Sequence, residues 1–376
     1  MKKITLALLV AGAALSACTQ KKSMENHVEG NIFETYERFL TEPYGYVANK
    51  AAGEIKVDGI LDEADWQNAP FTEDFADISG EGFPTPRFKT NAKMLWDDNY
   101  LYIGAELEEP SIWADLVQRD TIVYYNHDFE VFVDPDGDGQ NYFEVETNAR
   151  ETIFDLFIQK PYRALTRAFV TFAWDCPGLK LKTHLNGTMN NPNDEDKGWS
   201  VEIAIPREAI AAEFDNYLQA GNYLRVGFSR VEWQTELDEN GAIRRKKGED
   251  GKFLPEDNWT WPSTGMIAMH MPERWGYVYL ADKAGEKFQM PAYRPVERLL
   301  WAMFYEQEKQ MEKNGAYLTC VNCFNLPADE VAKLPAGSDI KVEATANHFE
   351  ITVTAADGSS MSIDQNGYVC KREAKK

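Results

Sequence analysis

The stretch HDFEVFVDPDGDGQNYFEVETNA, His127 to Ala149, admits few folds. Its two arms, Phe129/Val131/Val133 and Phe143/Val145/Thr147, place a mostly apolar set on one face at every second residue, the period of a strand. Between them lies a tip of Asp and Gly, so the segment reads as a β-hairpin. Glu130, Phe132, Tyr142, Glu144, Glu146 and Asn148 then fall on the opposite face, where acids and an amide crowd one patch of sheet. Like charges opposite one another cost free energy, which marks the patch as a candidate site.

The same period recurs from Ala51 to about Asp282. Phe88 to Trp96, Tyr100 to Glu108, Thr152 to Ile158, Ala168 to Ala173, Leu179 to Leu185, 198–206, 222–233 and 275–280 all read as strands. Trp199/Val201/Ile203/Ile205 and Leu101/Ile103/Ala105/Leu107 alternate with polar or small residues, as half-buried antiparallel strands do. One short helix is expected near Pro206 and Arg207. The expectation is a mainly β protein, an antiparallel β-sandwich over residues 51–282. The segment from Gln234 to Trp261, rich in Asp, Glu, Gly and Lys, is read as a long loop suited to carry binding groups.

From Met290 the period changes. Val296, Leu299, Leu300, Met303 and Phe304 recur at helical spacing and Gly315 supplies a stop, after which several short strands and an Asp-Gly turn follow. Residues 290–376 thus form a small α+β unit of helix plus sheet.

The chain starts MKKITLALLVAGAALSAC, a basic start, an apolar run and small residues before a cysteine, which is a secretory signal over residues 1–17. Leu15-Ser16-Ala17-Cys18 resembles the lipobox of bacterial lipoproteins, which implies lipidation of Cys18, a membrane partner through that lipid, and a cell-envelope location at the outer membrane. Residues 18–50 read as anchor and tether, with a short helix around Ile32 to Leu40. No later run approaches the roughly 20 apolar residues of a membrane-spanning helix.

The net charge of −22 argues against nucleic acid, whose phosphates need clustered Lys and Arg, and equally against anionic polysaccharides. Neutral sugars or cations fit better. Aromatic residues make up 12% of the chain and include ten Trp, the type that stacks on pyranose faces, although most belong to the core.

Asp134, Asp136 and Asp138 followed by Gly139 offer hard oxygen ligands for Ca2+, yet they match an EF-hand loop only in part, because Val145 stands where its bidentate Glu should be. A plain hairpin tip is the alternative. Glu130 and Glu146 could serve as the paired carboxylates of a glycan-active enzyme. The other alternative is a scaffold lipoprotein with an envelope protein partner. Beyond Cys18, a disulfide from Cys320 or Cys323 to Cys370 is the expected pairing, with Cys176 left over, while free thiols and half a zinc site are alternatives.

In order along the chain, VDGILDEADWQNAPF, KMLWDDNYLYIGAEL, DFEVFVDPDGDGQNYFEVETNA, WSVEIAIP, LRVGFSRVEW and HMPERWGYVYL resemble the family 9 carbohydrate-binding modules, particularly the larger family-9-like lipoproteins of double-membraned bacteria. The resemblance implies non-catalytic capture of a sugar between two aromatic rings, with calcium as a structural ion. Tyr124 or Tyr125 stands at the first ring. Glu130 matches the acid that accepts sugar hydroxyls and Asn148 the amide on the partner strand, while Glu146 replaces an expected base. Met269 aligns at the second ring, with Trp259 and Trp261 near enough in sequence to serve instead. Arg230 either donates to a ligand or pairs with an acid. His270 matches a histidine of the larger proteins and is shared between site and scaffold.

Overall fold

The computed structural model describes residues 28–163, 169–211 and 216–374. The leader, Cys18 and the tether up to residue 27 lie outside the described residues. The sandwich strands are β1 (Gly45–Lys50), β2 (Thr90–Trp96), β3 (Tyr100–Glu108), β4 (Asp128–Asp134), β5 (Tyr142–Asn148), β6 (Ile153–Ile158), β7 (Lys180–Asn186), β8 (Gly198–Pro206), β9 (Tyr223–Glu232), β10 (Asp257–Trp261) and β11 (Gly276–Ala281), all but β1 and β10 where alternation predicts them. They hydrogen-bond in the order β6-β5-β4-β9-β11-β1-β2-β3-β8-β7, with β10 paired to β9. The run doubles back on itself at β1, which is parallel to both β11 and β2.

Side chains from the two halves meet in one core. Met94, Trp96, Ile103 and Ile203 come from one layer, and Phe129, Val131, Phe228 and Val278 from the other. Removing each such side chain from water contributes on the order of 1.5–3 kcal/mol, which makes this core the main support of the sandwich. The expected short helix is a single turn, Arg207–Ala209.

Residues 28–50 do not form a free tether. Two short helices, α1 (Ile32–Thr35) and α2 (Glu37–Leu40), bury Ile32, Phe33 and Leu40 against the helical unit at the far end of the chain. β1 follows in the middle of the sheet. Its few apolar residues carry little pattern, because its place depends on two parallel neighbours distant in sequence. The segment from Gln234 to Trp261 is likewise not one loop. It holds a small hairpin, Thr235–Leu237 with Ile243–Arg245, and then β10.

Outside the sandwich, α3 (Ala64–Asn68) seals the outer face of β3 and β8 with fully buried Trp66, whose Nε1 donates to Glu202 at 2.7 Å. The C-terminal unit consists of α4 (Arg294–Asn314) packed on a meander of β12 (Asp339–Ala344), β13 (Phe349–Thr354), β14 (Ser360–Asp364) and β15 (Val369–Arg372). Val296, Leu299, Leu300, Met303 and Phe304 face this sheet as their spacing predicts. The helix stops where Gly315 takes the left-handed conformation at φ 65° and donates to Met311 O.

The expected disulfide partner of Cys320 or Cys323 is wrong. A turn at Val321–Phe324 brings the Cα atoms of these two cysteines to 5.3 Å, within bridging range, and they are joined to each other. Cys370, on β15, and buried Cys176 are free.

One turn links the units and positions the site. Glu273 Oε1 accepts from Arg163 at 2.8 Å and from Tyr305 of α4 at 2.7 Å, while Arg274 donates to Phe39 O and Thr41 O. The loop just before this turn, residues 266–271, is thereby held over the outer face of the β4–β5 hairpin. Gly227 makes that approach feasible, because a Cβ there would lie 2.6 Å from both Met269 Cε and Trp275 Cδ1.

Candidate functional site

The outer face of the hairpin is covered at one end and open at the other. Phe132 and Tyr142 are sealed by Trp275 and Met269. Beyond them a cavity of about 400 Å³ opens, with Glu130 and Phe132 from β4, Glu144 and Glu146 from β5, Phe154 and Leu156 from β6, and Ser229 and Val231 from β9 as its floor. Tyr124, Tyr162, Phe172 and residues 267–270 form its walls.

Strand register brings the acids together. Glu130 pairs with Glu146 across the β4–β5 ladder and with Ser229 across β4–β9, while Asp128 pairs with Asn148. Asp128, Glu130, Glu144 and Glu146 are all at least nine-tenths buried, and no Lys or Arg lines the cavity among the described residues. Burial disfavours their charged forms and pushes Glu130 up to about 7. For the other three, burial acts first and repulsion from Glu130 adds to it, so that Glu144 rises to about 8 and Asp128 and Glu146 well above the ordinary carboxyl range.

His270 stands at the wall with its Nδ1 2.9 Å from Tyr142 OH and its ring 4.2 Å from that of Tyr162. Its Nε2 lies 4.0 Å from Glu144, but burial drives its pKa down to about 3, so the imidazole is neutral and supplies no counter-charge.

Of the residues singled out in the sequence, the cavity unites Tyr124, Glu130, Glu146 and His270. Glu144, Tyr162 and Phe172 join them. Alternation already places Glu144 on this face. Tyr162 follows β6 in an irregular turn and has no period to betray it, while Phe172 lies in the expected strand 168–173, just past its paired residues Val170–Thr171. Met269 lies in the wall as a packing residue against Trp275, not as a ring.

Five other candidates are corrected. Trp259 and Trp261 point inward from β10 into the sandwich core at 3% and 0% exposure, and Trp261 Nε1 donates to Glu73. Neither can clamp a ligand. Arg230 is fully buried on the inner side of β9, where it donates to Glu109 at 2.8 Å, Glu232 at 2.9 Å, Thr90 Oγ1 and Glu108 O. It is the pairing cation, not a ligand donor. Asn148 is also fully buried, and its amide is spent on Leu116 O, Asn126 Oδ1 and the backbone N–H groups of Arg150 and Thr152. Tyr125 is exposed but lies outside the cavity lining, under the guanidinium of Arg245 at 4.6 Å.

At the hairpin tip, Asp134, Asp136 and Asp138 bring carboxylate oxygens within 4.8 Å of one another. Asp134 accepts from Gly137 N and Gly139 N at 2.9 Å, Asp138 from Gln140 N, and Asp136 from Tyr217 OH. Three carboxylates this close make a donor set that fits a hard cation while also serving as an ordinary turn. Burial, then Asp136 and Asp138, raise Asp134 well above its usual range.

Among solved structures, the chain is similar to a family 9 carbohydrate-binding module from Caldicellulosiruptor kristjanssonii in complex with cellotriose, at 18% identity and TM-score 0.35, covering 65% of this chain and 99% of that one. It is also similar to a Bacteroides uniformis protein described as carbohydrate-binding, at 15% identity and TM-score 0.47, covering 64% and 100%. No curated protein matches the chain. The family described as carbohydrate family 9 binding domain-like matches residues 57–283, more than half of the length, and the protein belongs to that family.

Proposed function

We propose that the protein captures a glycan in the cavity over the β4–β5 hairpin. One observation carries this reading: on a domain of a carbohydrate-binding family, about 400 Å³ of open space is walled by Tyr124, Tyr162 and Phe172 and floored by Glu130, Glu144 and Glu146. Aromatic rings favour the apolar faces of sugar rings, and carboxylates accept hydrogen bonds from hydroxyl groups. Tyr124 and Tyr162 take the stacking role, and Glu130 and Glu146 the accepting role. His270 holds Tyr142 and Tyr162 in place.

Binding without cleavage is the better reading of these acids. A glycosidase needs environments that push two carboxyls apart, one protonated and one ionised. Here burial pushes all of them upward together.

In this reading Ca2+ at Asp134, Asp136 and Asp138 fastens the hairpin tip. Lipidation at Cys18 anchors the protein in the cell envelope, at the outer membrane, as the leader MKKITLALLVAGAALSAC supports. Among the described residues no helix is long and apolar enough to cross a membrane.

A glycan array probed with the chain from Thr19 onward, with calcium and with chelator, tests the reading. Selective binding that is lost in Glu130→Gln supports it. A blank array from folded protein contradicts it.

A further inference from the structure

The cavity holds carboxyl groups without a positive partner among its lining residues. Glu144 Oε2 and Glu146 Oε2 are buried and make no hydrogen bond. Buried polar groups without partners are costly, and here they face an open space rather than a packed wall. That space therefore has a chemical preference. A neutral hydroxyl donates one hydrogen bond and cancels no charge, whereas an ammonium donates three and cancels one.

The walls distinguish between kinds of cation. A hard divalent ion requires a shell of oxygens and retains water. Phe154, Tyr124 and Tyr162 instead present rings, whose faces attract organic cations and stack on sugars. The cavity volume of about 400 Å³ also far exceeds that of one ion. The chain's net charge of −22 draws cationic polymers toward the whole surface.

We propose that the ligand is an amino sugar with a free amine, a deacetylated hexosamine unit whose ammonium sits among Glu130, Glu144 and Glu146 while its ring lies against the aromatic walls. The proposal rests on the glycan reading above and names the substrate class.

The test is calorimetric titration of the purified protein with a glucosamine trisaccharide, its fully N-acetylated counterpart and cellotriose, each in two buffers of different ionisation enthalpy. The amine form is expected to bind about tenfold tighter or more, the scale of one charge-assisted hydrogen bond, and to release protons to the buffer. Glu144→Gln and Glu146→Gln should each shrink that preference. Equal or tighter binding of cellotriose or the N-acetylated sugar overturns the cation proposal and leaves the glycan reading standing. Equally tight binding of the simple amine cyclohexylamine supports the cation proposal and removes the glycan reading. Binding of the trisaccharide that requires added calcium overturns the ammonium assignment, and no binding by any of these overturns both.

Discussion

Glu130 and Glu146 stand directly opposite each other on adjacent strands of one hairpin, with Asp128 within 4.8 Å of both and all three buried. A sheet that served only to pack would place apolar or oppositely charged residues here. The acids therefore set the folding behaviour of the free protein.

The first consequence concerns pH. Glu130 and Glu144 hold their protons more tightly folded than unfolded, with values of about 7 and 8 against about 4.5. Their contribution is complete below the unfolded value and is lost as pH rises through the folded ones. Buried His127 acts in the same direction: burial alone would lower its pKa, but the Glu232 and Glu109 charges raise it. The melting temperature of the ligand-free protein should fall by several degrees between pH 5.5 and pH 8.5. A flat or rising profile would contradict the account of the cluster.

Removing one acid should relieve the rest. Glu146→Gln keeps the size of the side chain and takes away a group whose charge is opposed first by burial and then by Glu130 and Glu144. The variant is expected to gain on the order of 1–3 kcal/mol at pH 8, read by urea unfolding. A loss would show that the carboxylate has a partner in the free protein.

Arg230 should behave in the opposite way. Arg230→Met strands Glu109 and Glu232, each about 2% exposed, and should cost about 3–5 kcal/mol. Because the residue lies on the inner side of β9, glycan affinity measured below the melting transition should not change. A drop in affinity with unaltered stability would return Arg230 to the site.

Gly227→Ala tests the loop over the cavity. The added methyl would collide with Trp275, which is fully buried and has no room to yield. Expected are a stability loss of about 1–3 kcal/mol and weaker glycan binding, both read from one thermal and one calorimetric series.

The sandwich, the hairpin and α4 were legible because each is a local period: Phe129/Val131/Val133 every second residue, and Val296 to Phe304 at helical spacing. Glu130 and Glu146 were legible for the same reason, as they share a face and cannot avoid each other. What the chain concealed depends on partners far away. Arg230 meets Glu109 across 121 positions, and Tyr36 of the N-terminal segment meets Glu306 of α4 across 270. Trp259 and Trp261 resembled binding rings only while their segment read as a loop; as strand residues opposite Arg230 and Phe228 they belong to the core. Tyr162 had no periodic neighbour to place it over the hairpin.

Tyr162 now offers the most direct test of where the glycan sits. It is 51% exposed, so its loss leaves the fold intact, and it lines the cavity beside His270. Calorimetric titration of the glycan selected on the array into wild-type and Tyr162→Ala protein should show about tenfold weaker binding in the variant, with the same melting temperature. Equal affinity in the two proteins would place the glycan elsewhere and contradict the account.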